Sequence, residues 1–213
     1  GKSTFVGAIR ALLGPYAGTA DHDSFSRRQA GSIREDLASF QSKRLITDME
    51  LPDGQLLDNA MVKLLSGRDE IRARKLYKGG FCITPTWSIV VGCNTWPRLS
   101  SDPDSGWWRR ILVLPFDYHP KKTDYRLKER LHQRDNQEAI LAWLIKGSTA
   151  YYRNRRPGRE WKIPPTVRQA INQYRVYMDN AEYWLRHYLE FDRSYTTPNH
   201  AISTSYLEFC DEL

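Results

Sequence analysis

Gly1-Lys2-Ser3-Thr4 have the types and order of the second half of a phosphate-binding P-loop. In such a loop backbone N–H groups cradle the phosphates, the lysine reaches the β- and γ-phosphates, and the next hydroxyl holds magnesium. Lys2 and Ser3 would carry those last two tasks. The full pattern has a glycine five positions before Gly1 and an apolar strand before that, so the chain reads as a fragment of a larger NTPase. Two further polar groups give the tetrapeptide a context. Arg44-Leu45-Ile46-Thr47-Asp48-Met49-Glu50 reads as a short strand ending in carboxylates, and the apolar run 87–92 as another that ends just before Asn94. Ligands of open α/β sheets bind beyond the carboxyl ends of the strands. A carboxylate there can hold Mg2+ or polarise an attacking water, and an amide on the next strand can orient that water against the γ-phosphate. Glu50 is the expected catalytic base and Asp48 its metal-side partner, so that Ser3, Asp48 and Glu50 form the expected metal set. The plainer alternatives are that Glu50 caps a helix beginning near Asp53 and that Asn94 is a turn residue before Pro97.

Arg109 and Arg110 stand immediately before the apolar run 111–115. A guanidinium beside a core needs a partner. An arginine so placed can reach a neighbouring subunit's γ-phosphate and stabilise transition-state charge, or it can pair locally with Asp102 or Asp104.

These residues require a frame. After Thr4 the segment FVGAIRALLG has apolar positions at helical spacing and stops at Gly14-Pro15, so the loop feeds a helix. The pattern predicts a helix over 31–41, the strand over 44–50 and a helix from Asp53 to Leu65. A hairpin follows over 70–85 with Lys78-Gly79-Gly80 at its turn. Strands are expected at 87–92 and 110–115, and a mostly helical stretch over 124–191, interrupted by a loop over 155–165. Uninterrupted apolar runs are those of strands buried on both faces, as in a parallel sheet covered by helices.

A length of 213 residues, 40% hydrophobic and 27% charged, fits one large domain or a domain with an appendage. No apolar run approaches the ~20 residues that span a bilayer, and no cationic-then-apolar leader opens the chain. Both points favour the cytoplasm and no membrane partner. Cys82, Cys93 and Cys210 form no close pair, which argues against a disulfide framework or a zinc ribbon. The five histidines, His22, His119, His132, His187 and His200, are scattered and read as surface or packing residues. The net charge of +7 is concentrated: residues 121–175 hold 14 Lys/Arg against 5 Asp/Glu, whereas 176–213 hold 2 against 7. Basic residues alternating with aromatics over 151–162 suit a polyanion with stackable bases, or else a solvated helix face and loop.

The series GKST, DLASFQSKRLITDMEL, KLLSGRDEIRARKLYKGGFCITP, WSIVVGCNTWP and GWWRRILVLPF resembles, in order, the superfamily-3 helicase domain of phage and plasmid primase-helicases, which is similar to that of poxvirus primase-helicases. The resemblance covers most of the chain, since AILAWLIKGSTAYY and IPPTVRQAINQYRVYMDNAEYWL look like the helical region after that motor. It implies an α/β P-loop NTPase core of AAA+-like type with a parallel sheet over residues 1–120, and a helical C-terminal region over 121–195. Residues 196–213 look like the start of a winged-helix segment. It further implies that Gly1, Lys2, Ser3 and Thr4 bind ATP and Mg2+, and that Asp48 and Glu50 fall on the Walker B position. Asn94 falls on the sensor asparagine, and Arg109 or Arg110 on the arginine finger of the adjacent protomer. The hairpin carrying Arg72, Arg74, Lys75 and Lys78 matches the element that grips single-stranded DNA in a central channel. Gly67-Arg68 departs from the family's paired glycines. The implied activity is ATP-driven translocation on single-stranded DNA at a replication fork by a ring, a hexamer in that family, with a primase domain in the same full-length chain. The residues alone leave two alternatives: a non-catalytic DNA-binding or assembly module with an inert P-loop, and a P-loop ATPase that acts on proteins or packages DNA.

Overall fold

The computed structural model describes residues 1–26, 34–74, 79–154, 162–194 and 196–211. Along them run α1 (Lys2–Leu13), β1 (Ala17–Thr19), α2 (Glu35–Ala38), β2 (Leu45–Asp48), β3 (Leu56–Leu57), α3 (Asn59–Leu65), β4 (Ile71–Arg74), β5 (Gly80–Ile83), β6 (Ser88–Val91) and β7 (Arg98–Leu99). Then follow α4 (Ser105–Trp108), α5 (Leu127–Leu131), α6 (Arg134–Asn154), α7 (Pro165–Met178), α8 (Asn180–Tyr188) and α9 (Asn199–Asp211). The chain divides into two compact units, one of residues 1–110 and 116–163, the other of 111–115 and 164–213.

The first unit is a mixed α/β fold organised on a parallel sheet in the order β1-β2-β6. Strand β2 is central and buried at all four positions, with Ile46 fully inaccessible. That explains why its sequence does not alternate: both faces are covered. Helix α1 stops where expected, at Gly14, whose φ of 50° lies in the left-handed region that glycine favours. A short 3-10 turn over Gly14–Tyr16 then delivers the chain to β1. Strand β1 escaped the sequence reading because Ala17-Gly18-Thr19 carries no apolar run; its pairing with β2 makes it a strand. The β2–β6 ladder runs from Leu45↔Ser88 to Asp48↔Val91, and Gly92 N–H extends it by donating to Asp48 O at 2.6 Å. Gly92 lets the strands end in close contact, since a Cβ would sit 2.6 Å from Met49 Cε and 3.1 Å from Met49 O.

Several expected elements are corrected. Of the helix expected over 31–41, residues 31–33 lie outside the described residues and the rest forms only Glu35–Ala38. The helix expected from Asp53 begins at Asn59, because Pro52 to Gln55 form a turn with Gly54 at φ 78°. Asp58 is the true cap, accepting from Met61 N–H at 2.7 Å, so Glu50 caps no helix. Residues 110–115 are not a strand. An apolar run becomes one only if a neighbouring backbone completes its ladder, and among the described residues none pairs with it. The hairpin is present as β4 and β5, antiparallel from Ile71↔Ile83 to Arg74↔Gly80. Its turn residues 75–78 lie outside the described residues, as do 155–161 of the basic segment.

Phe25, Phe40, Leu65 and Trp107 are all buried. Trp87 packs edge-on against Phe40 at 5.5 Å and donates through Nε1 to Leu65 O at 3.0 Å, so its polar tip is satisfied inside the core. Helix α6 reaches α1 through Trp143, edge-on to Phe5 at 6.2 Å, and through Gln137 Nε2, which donates to Ala8 O at 3.4 Å.

The second unit is helical. Asp179 ends α7 and caps α8, accepting from Glu182 N–H at 2.9 Å. Buried Val167, Ile171, Tyr174, Trp184 and Phe209 form its core. Trp184 lies edge-on to Tyr206 at 5.2 Å and Tyr183 stacks on Phe209 at 5.9 Å, so α9 is held mainly by aromatic contacts. Among the described residues no helix is long and apolar enough to cross a membrane, and Cys82, Cys93 and Cys210 are free thiols.

Candidate functional site

Parallel pairing carries the carboxyl ends of β1, β2 and β6 to one edge of the sheet. Beyond β1 comes His22, at the end of β2 come Asp48 and Glu50, and beyond β6 comes Asn94. Helix α1 joins this edge through its first residue: Lys2 Nζ donates to Asn94 Oδ1 at 2.8 Å. Two residues 92 positions apart, chosen from sequence for the same phosphate, therefore touch. Ser3 and Thr4 lie in the same first turn, where helical N–H groups have no intrahelical partner and suit an anion.

Asp48 is only 2% exposed, whereas Glu50 is exposed and its N–H donates to Asp48 Oδ1 at 3.3 Å. The carboxylate of Asp48 is thus buried, and the expected base beside it is open to solvent. The loop after β6 is tied on its other side, where Thr95 Oγ1 donates to Asp53 Oδ1 at 2.6 Å. Just before the two tied residues stands Cys93, whose thiol is pushed above its ordinary value by burial, with the charge of Lys2 opposing and that of Asp53 adding. This thiol is therefore no ready nucleophile.

Sequence reasoning missed His22, which it read as a surface or packing residue. Its Nδ1 lies 3.0 Å and 3.1 Å from the two oxygens of Asp48. The available signal was positional: His22 stands just past the end of a strand. That strand is only three residues long and carries no apolar run.

Arg109 forms the C-cap of α4 and is exposed; Arg110 is exposed and donates through Nη1 to Gly106 O at 2.6 Å. Asp104 instead caps α4 through Trp107 N–H at 2.9 Å and pairs with Lys63 at 2.9 Å. Asp102 offers its backbone carbonyl to Asn59 at 3.2 Å. Arg72 and Arg74 are exposed on β4 while Ile71 and Ala73 between them are buried. Lys75 and Lys78 lie outside the described residues.

Among the described residues no group of three or more His, Cys, Asp or Glu could cage a metal ion. The donor set nevertheless fits magnesium, which uses one or two carboxylates together with substrate phosphates and water and rarely a full protein cage. Asp48 supplies such a carboxylate and Ser3 a hard hydroxyl oxygen.

The chain is similar to helicase-named proteins of two large DNA viruses. It is 30% identical over 118 residues, 54% of its length, to one from Acanthamoeba polyphaga mimivirus, covering 12% of that protein. It is 26% identical over 157 residues, 62% of its length, to one from Invertebrate iridescent virus 6, covering 16% of that protein. The chain thus spans less than a fifth of the length of these curated relatives. No family model matches the chain. These distant likenesses support a helicase-like relationship, and the mixed α/β architecture with its parallel sheet is compatible with a P-loop-like fold.

Proposed function

We propose that this chain is the motor region of an ATP-dependent DNA helicase of the phage and plasmid primase-helicase type, translocating on single-stranded DNA. The observation that carries the reading is the Lys2–Asn94 bond beside Asp48 and Glu50, since it joins the start of α1 to the strand edge at which a triphosphate would lie. In this reading the first-turn N–H groups of α1 bind phosphate oxygens, and Lys2 leaves Asn94 for the β- and γ-phosphates. Glu50 takes the proton of the attacking water, which Asn94 orients. Ser3 and Asp48 hold Mg2+, whose charge would neutralise the β- and γ-phosphoryl oxygens. Arg109 or Arg110, both exposed, meets the γ-phosphate of a neighbouring protomer, which makes a ring, hexameric by the resemblance, the working unit. Arg72, Arg74, Lys75 and Lys78 follow the DNA backbone without reading bases, and a primase domain accompanies the motor in the full-length chain.

The test is steady-state ATP hydrolysis with and without single-stranded DNA, with Lys2→Ala as control. DNA-stimulated turnover that vanishes in the control is the expected result. Absence of turnover, with DNA bound equally well with and without ATP, would overturn the motor and leave a passive DNA-binding module.

A further inference from the structure

A carboxylate as buried as Asp48 must have its oxygens satisfied. Glu50 N–H reaches Oδ1 at 3.3 Å, and His22 Nδ1 bridges Oδ1 and Oδ2 at 3.0 and 3.1 Å. A carboxylate here can only accept, so Nδ1 carries the proton and the contact fixes the tautomer of the ring. Near-equal distances place that N–H between the two oxygens. It faces both oxygens from one side, and among the described residues Oδ2 accepts no other hydrogen bond.

The backbone that delivers His22 is itself anchored. Ala20 N–H donates to Thr47 O at 2.9 Å, which continues the β1–β2 ladder past the end of β1, and Ser24 N–H closes the following turn on Asp21 O at 2.8 Å. His22 opens a short 3-10 helix, His22–Phe25, in which Ser24 and Phe25 are buried. The terminal torsion of an aspartate is soft and broad, and the one backbone contact to it among the described residues, at 3.3 Å, does not fix the carboxylate plane. A bridging N–H on an anchored turn does.

We propose that His22 is a positioning residue for the divalent cation of the nucleotide site. It sets the plane of the Asp48 carboxylate so that Oδ2 faces the cation and its water. The proposal rests on the nucleotide reading above. It follows a general pattern in which the hydrogen-bond partners of a metal-binding carboxylate decide its orientation.

The experiment is binding of Mn2+ together with a non-hydrolysable ATP analogue to the full chain, followed by the Mn2+ paramagnetic resonance signal. It compares the wild type with Asp48→Asn, His22→Ala, His22→Asn and His22→Gln, each checked for folding by circular dichroism. Asparagine can set its amide N–H where Nδ1 lies, whereas glutamine sets it one bond further out. Asp48→Asn should lose binding, His22→Ala should weaken it about tenfold, His22→Asn should retain most of it and His22→Gln should not. Wild-type affinity in His22→Ala, or equal losses in the asparagine and glutamine variants, would overturn the role of His22 while leaving the nucleotide site standing. Should His22→Ala fail to fold, the asparagine and glutamine pair decides. A folded wild type that binds no Mn2+ with the analogue would overturn the nucleotide reading and this proposal with it.

Discussion

The carboxyl edge of the three-stranded sheet and the β4–β5 hairpin both present basic side chains, and they hold them differently. At the sheet edge Lys2 is tied to Asn94 at 2.8 Å, and the nearby carboxylate of Asp48 is buried and bridged by His22. On the hairpin Arg72 and Arg74 are exposed on a strand whose alternate residues are buried, so the backbone is anchored and the charged side chains face solvent. Under the proposed function, the difference corresponds to two kinds of anion. A triphosphate that must react needs its contacts held within a fraction of an ångström. A polymer that must slide needs only a row of positive charge at roughly the right height.

The strongest way to break this contrast is at Asp48. Asp48→Asn is expected to lower ATP turnover about 100-fold or more, while DNA binding without nucleotide stays unchanged in a filter or anisotropy assay. Equal loss of both would mean that the two regions are one site. Gly92→Val should come next, because its Cβ meets the Met49 side chain and backbone just past the ends of β2 and β6. A loss of about 1–3 kcal/mol in urea denaturation is expected for such overpacking, with the hairpin unaffected in hydrogen exchange. The reciprocal experiment, Arg72→Ala with Arg74→Ala, should weaken DNA binding uniformly across sequences and lower its salt slope by about one unit per cation removed. It should leave unstimulated ATP turnover intact.

The smallest effect belongs to Lys63→Ala. The hydrogen bond from Lys63, with that from Trp107 N–H, holds the Asp104 carboxyl below its ordinary value. A lowered carboxyl contributes stability above its unfolded value and loses it as pH falls through the folded one. The thermal midpoints of wild type and variant should therefore differ slightly near neutral pH and converge below the ordinary carboxylate range of about pH 4.

What the sequence disclosed depended on how local each signal was. The start and stop of α1, strands β2 and β6 and the hairpin were legible because apolar spacing, Gly14-Pro15 and the Gly79-Gly80 turn are local signals. The run 110–115 looked like a strand by composition, but strand pairing is a property of a neighbour, and that information is not in the run. The helix expected from Asp53 fails for a local reason that was overlooked: Pro52, Gly54 and the cap at Asp58 delay it to Asn59. Of the candidate site, Lys2, Asp48 and Asn94 could be chosen because their residue types suit phosphate chemistry. The partnership of His22 with Asp48 could not, because it passes through β1, a strand recognisable only by what it lies beside.

The Lys2–Asn94 bond also sets an order in time. Its ends are 92 positions apart, so it closes a far longer loop than the hairpin does, and such contacts form late because their entropy is lost before any contact repays it. On a ribosome adding about 5–20 residues per second, Lys2 is synthesised roughly 5 to 20 seconds before Asn94. Throughout that interval Asn94 does not yet exist for the lysine to meet, and the contact between α1 and the sheet edge can form only when the third parallel strand has been made.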